Sequence, residues 1–108
     1  MIQSSVIVAA TCSGVAMNRN LIKPEEFTSI LIEEAGKVLE SDCLFTFSKN
    51  LKRLVLIGDD LQMRSLLFDE RLKNYSEYDQ SLMTRLKRLG ISPIQLDEQT
   101  RATSKVSI

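Results

Sequence analysis

The sequence predicts an α/β fold built on a parallel sheet, and three observations carry that prediction. Four apolar runs, rich in β-branched residues, lack the alternation of half-exposed strands, as expected of parallel strands covered on both faces. Stretches with helically spaced apolar residues separate the later runs, the order expected of right-handed strand–helix–strand crossovers. Each run stops at a small polar cluster. Parallel strands would deliver those clusters to one carboxyl edge, where open α/β sheets bind ligands.

The elements follow in order. Residues 4–10 read as the first strand, ending at Thr11-Cys12-Ser13-Gly14. Residues 11–27 read as irregular, with Pro24 closing that loop or starting a short turn. Residues 28–33 form the second strand, running into Glu33-Glu34-Ala35-Gly36. A helix is then expected from Ala35 to Phe47, with Val38, Leu39, Leu44 and Phe47 available for one buried face. Residues 53–57 are the third strand, ending at Gly58-Asp59-Asp60-Leu61-Gln62, with one helical turn through Leu66 after it. Leu82, Met83, Leu86 and Leu89 recur at helical spacing between 77 and 89, and Gly90 is a good terminator. Residues 92–97 make the fourth strand, leading into Gln99-Thr100-Arg101. Met17, Met63 and Met83 read as packing residues. No repeat, low-complexity tract or linker divides the chain, which reads as a single unit.

The 108 residues suffice for one modest domain or a piece of a larger one. With 44% hydrophobic and 26% charged residues, both signs balanced to a net charge of zero, the composition is that of a globular chain with no bulk pull toward nucleic acid or membrane. Histidine is absent, which removes Ser-His-Asp and Cys-His catalysis. Cys12 and Cys43 are too few for a zinc site or a disulfide framework, and two reduced thiols are expected. No apolar run reaches the length of a membrane span, so no membrane partner is expected and the chain reads as intracellular.

The strand-end clusters hold the chemistry. Glu33-Glu34 has the form of a Walker B pair, in which one carboxylate holds magnesium and the other orients or deprotonates an attacking water. A solvated acidic helix start, favoured by the helix dipole, is the plainer alternative. Gly58 permits an unusual turn, and Gln62 is placed to reach a terminal phosphate. A polymerase-type Gly-Asp-Asp hairpin is a poor fit, because Leu61-Gln62-Met63-Arg64-Ser65 is a weak returning strand. Arg101 suits a phosphate through its two-pronged guanidinium. Alone it reads better as a surface residue pairing with Asp97 or Glu98, a contact worth about 1 kcal/mol or less. Thr11, Ser13 and the Gly14 backbone could meet a sugar-phosphate chain.

The order of these clusters resembles the superfamily-one helicases of the nonsense-mediated-decay type. Thr11-Cys12-Ser13-Gly14, Glu33-Glu34-Ala35-Gly36 with Glu40, Leu56-Ile57-Gly58-Asp59 through Gln62, Ser81-Leu82-Met83, and Leu96 through Arg101 follow the family's sequence of motifs. Asn18-Arg19, the double glutamate, Tyr75-Ser76 with Gln80-Ser81-Leu82, and residues 97–102 resemble its spliceosomal intron-binding branch. Residues 33–40 resemble the helicase-like proteins with NFX-type zinc fingers. The resemblance covers about residues 4–105.

It implies a RecA-like P-loop NTPase fold, incomplete, with residues 1–108 as the latter half of the first motor domain. The cofactors implied are ATP and magnesium, the partners single-stranded RNA and other proteins of an RNA-processing complex, and the location nuclear, with the cytoplasm as the alternative. Glu33 would coordinate magnesium, Glu34 would position the hydrolytic water, Gln62 would sense the terminal phosphate and Arg101 would stabilise the transferring phosphoryl group. Gly58, Asp59 and Gln99 would lie on the nucleotide side, and Thr11 and Ser13 near the nucleic-acid path.

The chain also departs from the family. Glu33 stands where aspartate is usual, Asp60 where histidine is common, Met63-Arg64-Ser65 replaces a proline-bearing stretch, and Thr100 and Ala102 replace bulkier neighbours of the arginine. No Gly-x-x-x-x-Gly-Lys-Ser/Thr loop occurs in the sequence. These residues alone are therefore expected neither to hydrolyse ATP nor to fold robustly. The alternative function is a non-catalytic scaffold built on a degenerate motor. An upstream phosphate loop would favour the helicase, and a native start at Met1 the scaffold.

Overall fold

The computed structural model describes residues 4–61 and 70–98. Its centre is a pair of parallel strands, β1 (Ser29–Ile32) and β2 (Arg53–Leu56), in the register Ser29↔Arg53 through Ile32↔Leu56. Around them lie α1 (Cys12–Met17), α2 (Arg19–Ile22), α3 (Glu40–Leu44), α4 (Glu70–Ser76) and α5 (Leu82–Arg88). The second and third expected strands are thus present and parallel, each within one or two residues of its expected bounds.

The core forms against one sheet face. Ile32, Ala35, Cys43 and Leu82 are buried, with Ile30, Val38, Phe47, Leu54, Leu56, Met83 and Leu86 packed around them. Burying a side chain such as Ile32 contributes about 1.5–3 kcal/mol. The alternate residues Leu31 and Val55 stay exposed, so among the described residues the sheet is covered on one face rather than the two expected from its unbroken apolar sequence. Cys12 and Cys43 are both free thiols. Burial raises the Cys43 thiol to about 11, with smaller contributions from Cys12, Asp42 and Glu40.

The outer two expected strands are corrected. Residues 6–10 make no backbone hydrogen bond to another described residue, nor do residues 92–97. Apart from the half-buried Val8, their side chains are exposed: Val6 is 93% and Ile94 96% exposed. Strand structure requires a laddered neighbour, and neither segment has one among the described residues.

The helix expected over 35–47 is also corrected. It is a 3₁₀ turn at Ala35–Lys37, then α3. The backbone is extended at Val38 and Leu39, and Leu39 makes an antiparallel bridge to Ser81 instead of continuing a helix. Leu44 is consequently exposed while Val38 and Phe47 pack on the core.

Residues 11–27, read as irregular, contain α1, α2 and a 3₁₀ turn begun by Pro24. The Thr11 hydroxyl accepts from the Gly14 N–H at 2.9 Å, an N-cap that starts α1 where a strand end was expected. Met17 is exposed rather than a packing residue, whereas Met83 does pack on the core. The helix expected between 77 and 89 begins at Leu82, where the Ser81 hydroxyl caps it by accepting from Thr84 N–H at 3.1 Å.

Gly90 ends α5 with φ +94, as its sequence position predicts. Gly90 N–H donates to Lys87 O at 3.0 Å and Ile91 N–H to Leu86 O at 3.1 Å, the two bonds of a Schellman motif. The expected turn through Leu66 and the packing role of Met63 lie outside the described residues.

Candidate active site

The parallel pairing of β1 and β2 places their two following clusters at one sheet edge. Beyond the ladder the chains stay joined: Ile57 N–H donates to Ile32 O at 2.9 Å, and Ala35 N–H donates to Ile57 O at 2.8 Å. Glu33-Glu34 and Gly58-Asp59 are therefore neighbours by backbone geometry, as the sequence predicts. That edge is the place where open α/β sheets hold ligands.

Glu34 adopts the left-handed conformation, φ 54 and ψ 34. A non-glycine residue there is held at a cost by its surroundings, and such positions cluster at functional sites. Its carbonyl accepts from Lys37 N–H at 2.8 Å, closing the 3₁₀ turn, and its carboxylate lies 3.0 Å from Lys37 Nζ. Both side chains are exposed, so that ion pair is weak and leaves the carboxylate accessible to water. Glu33 is exposed one residue earlier and has no ion-pair partner among the described residues.

Magnesium commonly takes one or two carboxylates from a protein and fills its remaining positions with water and phosphate oxygens. An accessible, uncommitted carboxylate at a strand end fits the protein's share of such a shell, and Glu33 is the residue that would supply it.

In the facing turn, Asp59 Oδ1 accepts from Leu61 N–H at 2.9 Å, which shapes the chain leading toward Gln62. Asp60 turns the other way: its carboxylate oxygens lie 3.1 and 2.8 Å from Lys87 Nζ on α5. The hydrogen bond from that ammonium holds the Asp60 carboxyl below its ordinary value. Asp60 thus ties α5 to the site edge, a tether for which the sequence carries no periodic signal.

Two more ties hold the surroundings. Arg85 forks onto Glu40, its Nε 2.8 and 2.7 Å from the two carboxylate oxygens, joining α5 to α3. Arg19 Nη1 donates to Phe45 O at 2.8 Å, at the C-terminal end of α3. Arg19 and Glu40 stand out in the sequence as part of the motif order, and their observed contacts are structural.

Thr11 and Ser13 form a second group. With Glu33 they line a cleft of about 1020 Å³ whose walls include Val6, Val8 and Ile30. The structure therefore brings Thr11, Ser13 and Glu33 to one cleft, and Glu34, Gly58 and Asp59 together over the sheet edge. Gln62, Gln99 and Arg101 lie outside the described residues. Among the described residues no helix is long and apolar enough to cross a membrane.

What the sequence reading missed is Gly36. A Cβ on that residue would lie 2.3 Å from the Asp59 carbonyl oxygen, so the two turns touch backbone to backbone. Its place two residues after the acidic pair, within the cluster Glu33-Glu34-Ala35-Gly36, was the available signal.

Comparison with known proteins agrees with this arrangement of motifs. A family model described as "AAA domain" matches residues 1–70. RNA helicase aquarius of Mus musculus is 32% identical over 117 aligned residues, which cover 98% of this chain and 8% of that protein. The regulator of nonsense transcripts 1 homolog of Drosophila melanogaster is 30% identical, covering 99% of this chain and 9% of the relative. NFX1-type zinc finger-containing protein 1 of Homo sapiens is 31% identical, with 99% and 6% covered. The chain thus spans less than a tenth of the length of these relatives. With a family model over most of its residues and helicase relatives along nearly all of it, the chain belongs to the AAA-domain family of superfamily-one helicases.

Proposed function

We propose that residues 1–108 are the latter half of the first RecA-like motor domain of an ATP-dependent RNA helicase. The observation that carries the reading is the joining of Glu33-Glu34 to Gly58-Asp59 at one sheet edge through the Ala35–Ile57 hydrogen bond. In this reading Glu33 holds magnesium, which supplies charge neutralisation on the phosphates when bound. Glu34, exposed and held in its left-handed turn, accepts a hydrogen bond from the attacking water and takes its proton. Gly58 and Asp59 shape the nucleotide side, from which Gln62 reaches the terminal phosphate. Gln99 and Arg101 complete that side, the arginine against developing phosphoryl charge. Thr11 and Ser13 border the path of single-stranded RNA at the cleft they share with Glu33.

RNA as the substrate rests on the names of the relatives, an RNA helicase and regulators of nonsense transcripts. Work on pre-mRNA in a nuclear protein complex is the narrower proposal, and it rests on the resemblance to the intron-binding branch. The test is ATP hydrolysis by the full-length gene product, with and without single-stranded RNA, against Glu34→Gln. RNA-stimulated turnover that falls at least about 100-fold in the variant, as expected for loss of a catalytic acid–base group, supports the reading. A folded full-length protein without turnover overturns it and leaves a non-catalytic scaffold.

A further inference from the structure

We infer that Gly36 and Gly58 are positioning residues: they let two backbone turns interpenetrate, so that the pose of Glu34 is set by the Gly58–Asp59 turn. The inference rests on the ATP-hydrolysing reading above. A Cβ at Gly36 would lie 2.3 Å from Asp59 O and 3.0 Å from its carbonyl carbon. A Cβ at Gly58 would lie 2.9 Å from both Ala35 N and Gly36 N, and 3.4 Å from the carbonyl carbon of Glu34. Every one of these neighbours is backbone, which cannot rotate aside as a side chain can. Between the two contacts runs the Ala35 N–H to Ile57 O bond at 2.8 Å, and Ala35 is almost fully buried.

Glu34 precedes this contact by one residue, in a conformation that its own side chain disfavours. The Lys37 contacts close the turn locally, and the backbone of the Gly58–Asp59 turn, packed 3.0 Å or closer to where a Cβ on Gly36 would sit, fixes how far that turn can move. Spreading the two turns to admit a methyl group would shift the Glu34 backbone, and a misplacement of about 1 Å near the reacting atoms costs about 100-fold in rate. Gly36 itself carries no nucleotide-side role, so a substitution there should act on the chemical step, whereas Gly58 borders the nucleotide and a substitution there can act on affinity as well. A displacement of one turn, such as a bound phosphate would impose on the Asp59 side, is likewise passed to Glu34.

The test uses the full-length gene product and measures RNA-stimulated ATP turnover in Gly36→Ala and Gly58→Ala. Each is repeated in the Glu34→Gln background, and Ile32→Val serves as a control that loosens the same strand without entering the contact. The expected result is a loss in kcat of at least about tenfold for Gly36→Ala, with KM for ATP within about twofold, and a smaller loss in kcat for Gly58→Ala, whose KM is not used as a criterion because Gly58 borders the nucleotide. In the Glu34→Gln background neither alanine should cost anything further, because both act through Glu34. If Gly36→Ala fails to fold, Gly58→Ala, whose contacts are milder, decides by its kcat and by whether that loss disappears in the Glu34→Gln background.

Turnover by the wild type with unchanged kcat in the alanine variants overturns the positioning role alone. So does an additive loss in the Glu34→Gln background, or a loss matched by Ile32→Val, since either marks plain destabilisation. A folded wild type without turnover overturns both the positioning role and the helicase reading.

Discussion

Ile30-Leu31-Ile32 and Val6-Ile7-Val8 have nearly the same hydrophobic character, yet they end differently. The first is laddered to β2, and Ile32 is buried in the core. The second makes no backbone hydrogen bond to another described residue, and Ile7 is 86% exposed. Residues 54–56 and 92–97 repeat the contrast at the other side of the sequence. Apolar composition qualifies a segment as a strand, but a neighbour to ladder with decides whether it becomes one. The site edge formed where both strands had that neighbour.

The largest expected difference between the two regions is in stability. Ile32→Ala removes part of a small core and should cost about 2–5 kcal/mol. In the 108-residue chain that suffices to abolish a cooperative urea transition, since among the described residues only Ile32, Ala35, Cys43 and Leu82 form the buried apolar core. Ile7→Ala and Ile94→Ala should change stability by no more than about 0.5 kcal/mol. Hydrogen exchange gives the same contrast by residue, with slow amides at Arg53 and Ile57, which donate to the β1 side, and none slowed at 6–10 or 92–97. Equal costs for Ile32→Ala and Ile7→Ala would erase the distinction.

A smaller effect separates the capped helix α5 from the uncapped ends around it. Ser81 is buried and caps α5 with its hydroxyl, so Ser81→Ala should lower stability by about 1 kcal/mol in thermal melts. Gly90→Ala forces a side chain into a left-handed position with open space around it, and should cost roughly 1 kcal/mol through backbone strain alone. A neutral Ser81→Ala would mean that α5 is held by Leu82 and Arg85 instead of by its cap.

These elements show what could be read from the sequence. Gly90 was legible because a glycine closing a run of helically spaced leucines has one local explanation. The edge carrying Glu33-Glu34 and Gly58-Asp59 was legible because parallel strands must deliver their ends to the same side. The break at Val38-Leu39 was not, since it answers to Ser81, far away in sequence. Residues 4–10 and 92–97 were misread for the same reason, as their fate depends on partners that no local pattern encodes. Gly36 was passed over because its importance lies in the distance to Asp59 O, a tertiary quantity. The placing of Gln62, Gln99 and Arg101 rests on motif order alone.

The smallest expected effect concerns the Asp60–Lys87 tether between the site edge and α5. The Lys87 ammonium favours ionised Asp60, so the folded-state carboxyl titrates below its unfolded value. The pair's contribution is therefore complete above about pH 4 and is lost as pH falls through the lower, folded-state value. Lys87 is 45% exposed along its side chain and the contact is open to solvent, which limits the contribution to less than about 1 kcal/mol. Lys87→Ala should lower the melting temperature at pH 7 and low salt, and the difference should shrink at high salt and vanish at pH 2. A difference that persists at pH 2 would assign the effect to packing of the lysine stem on the Asp60 turn rather than to charge, and α5 would then be bound to the site edge by contact alone.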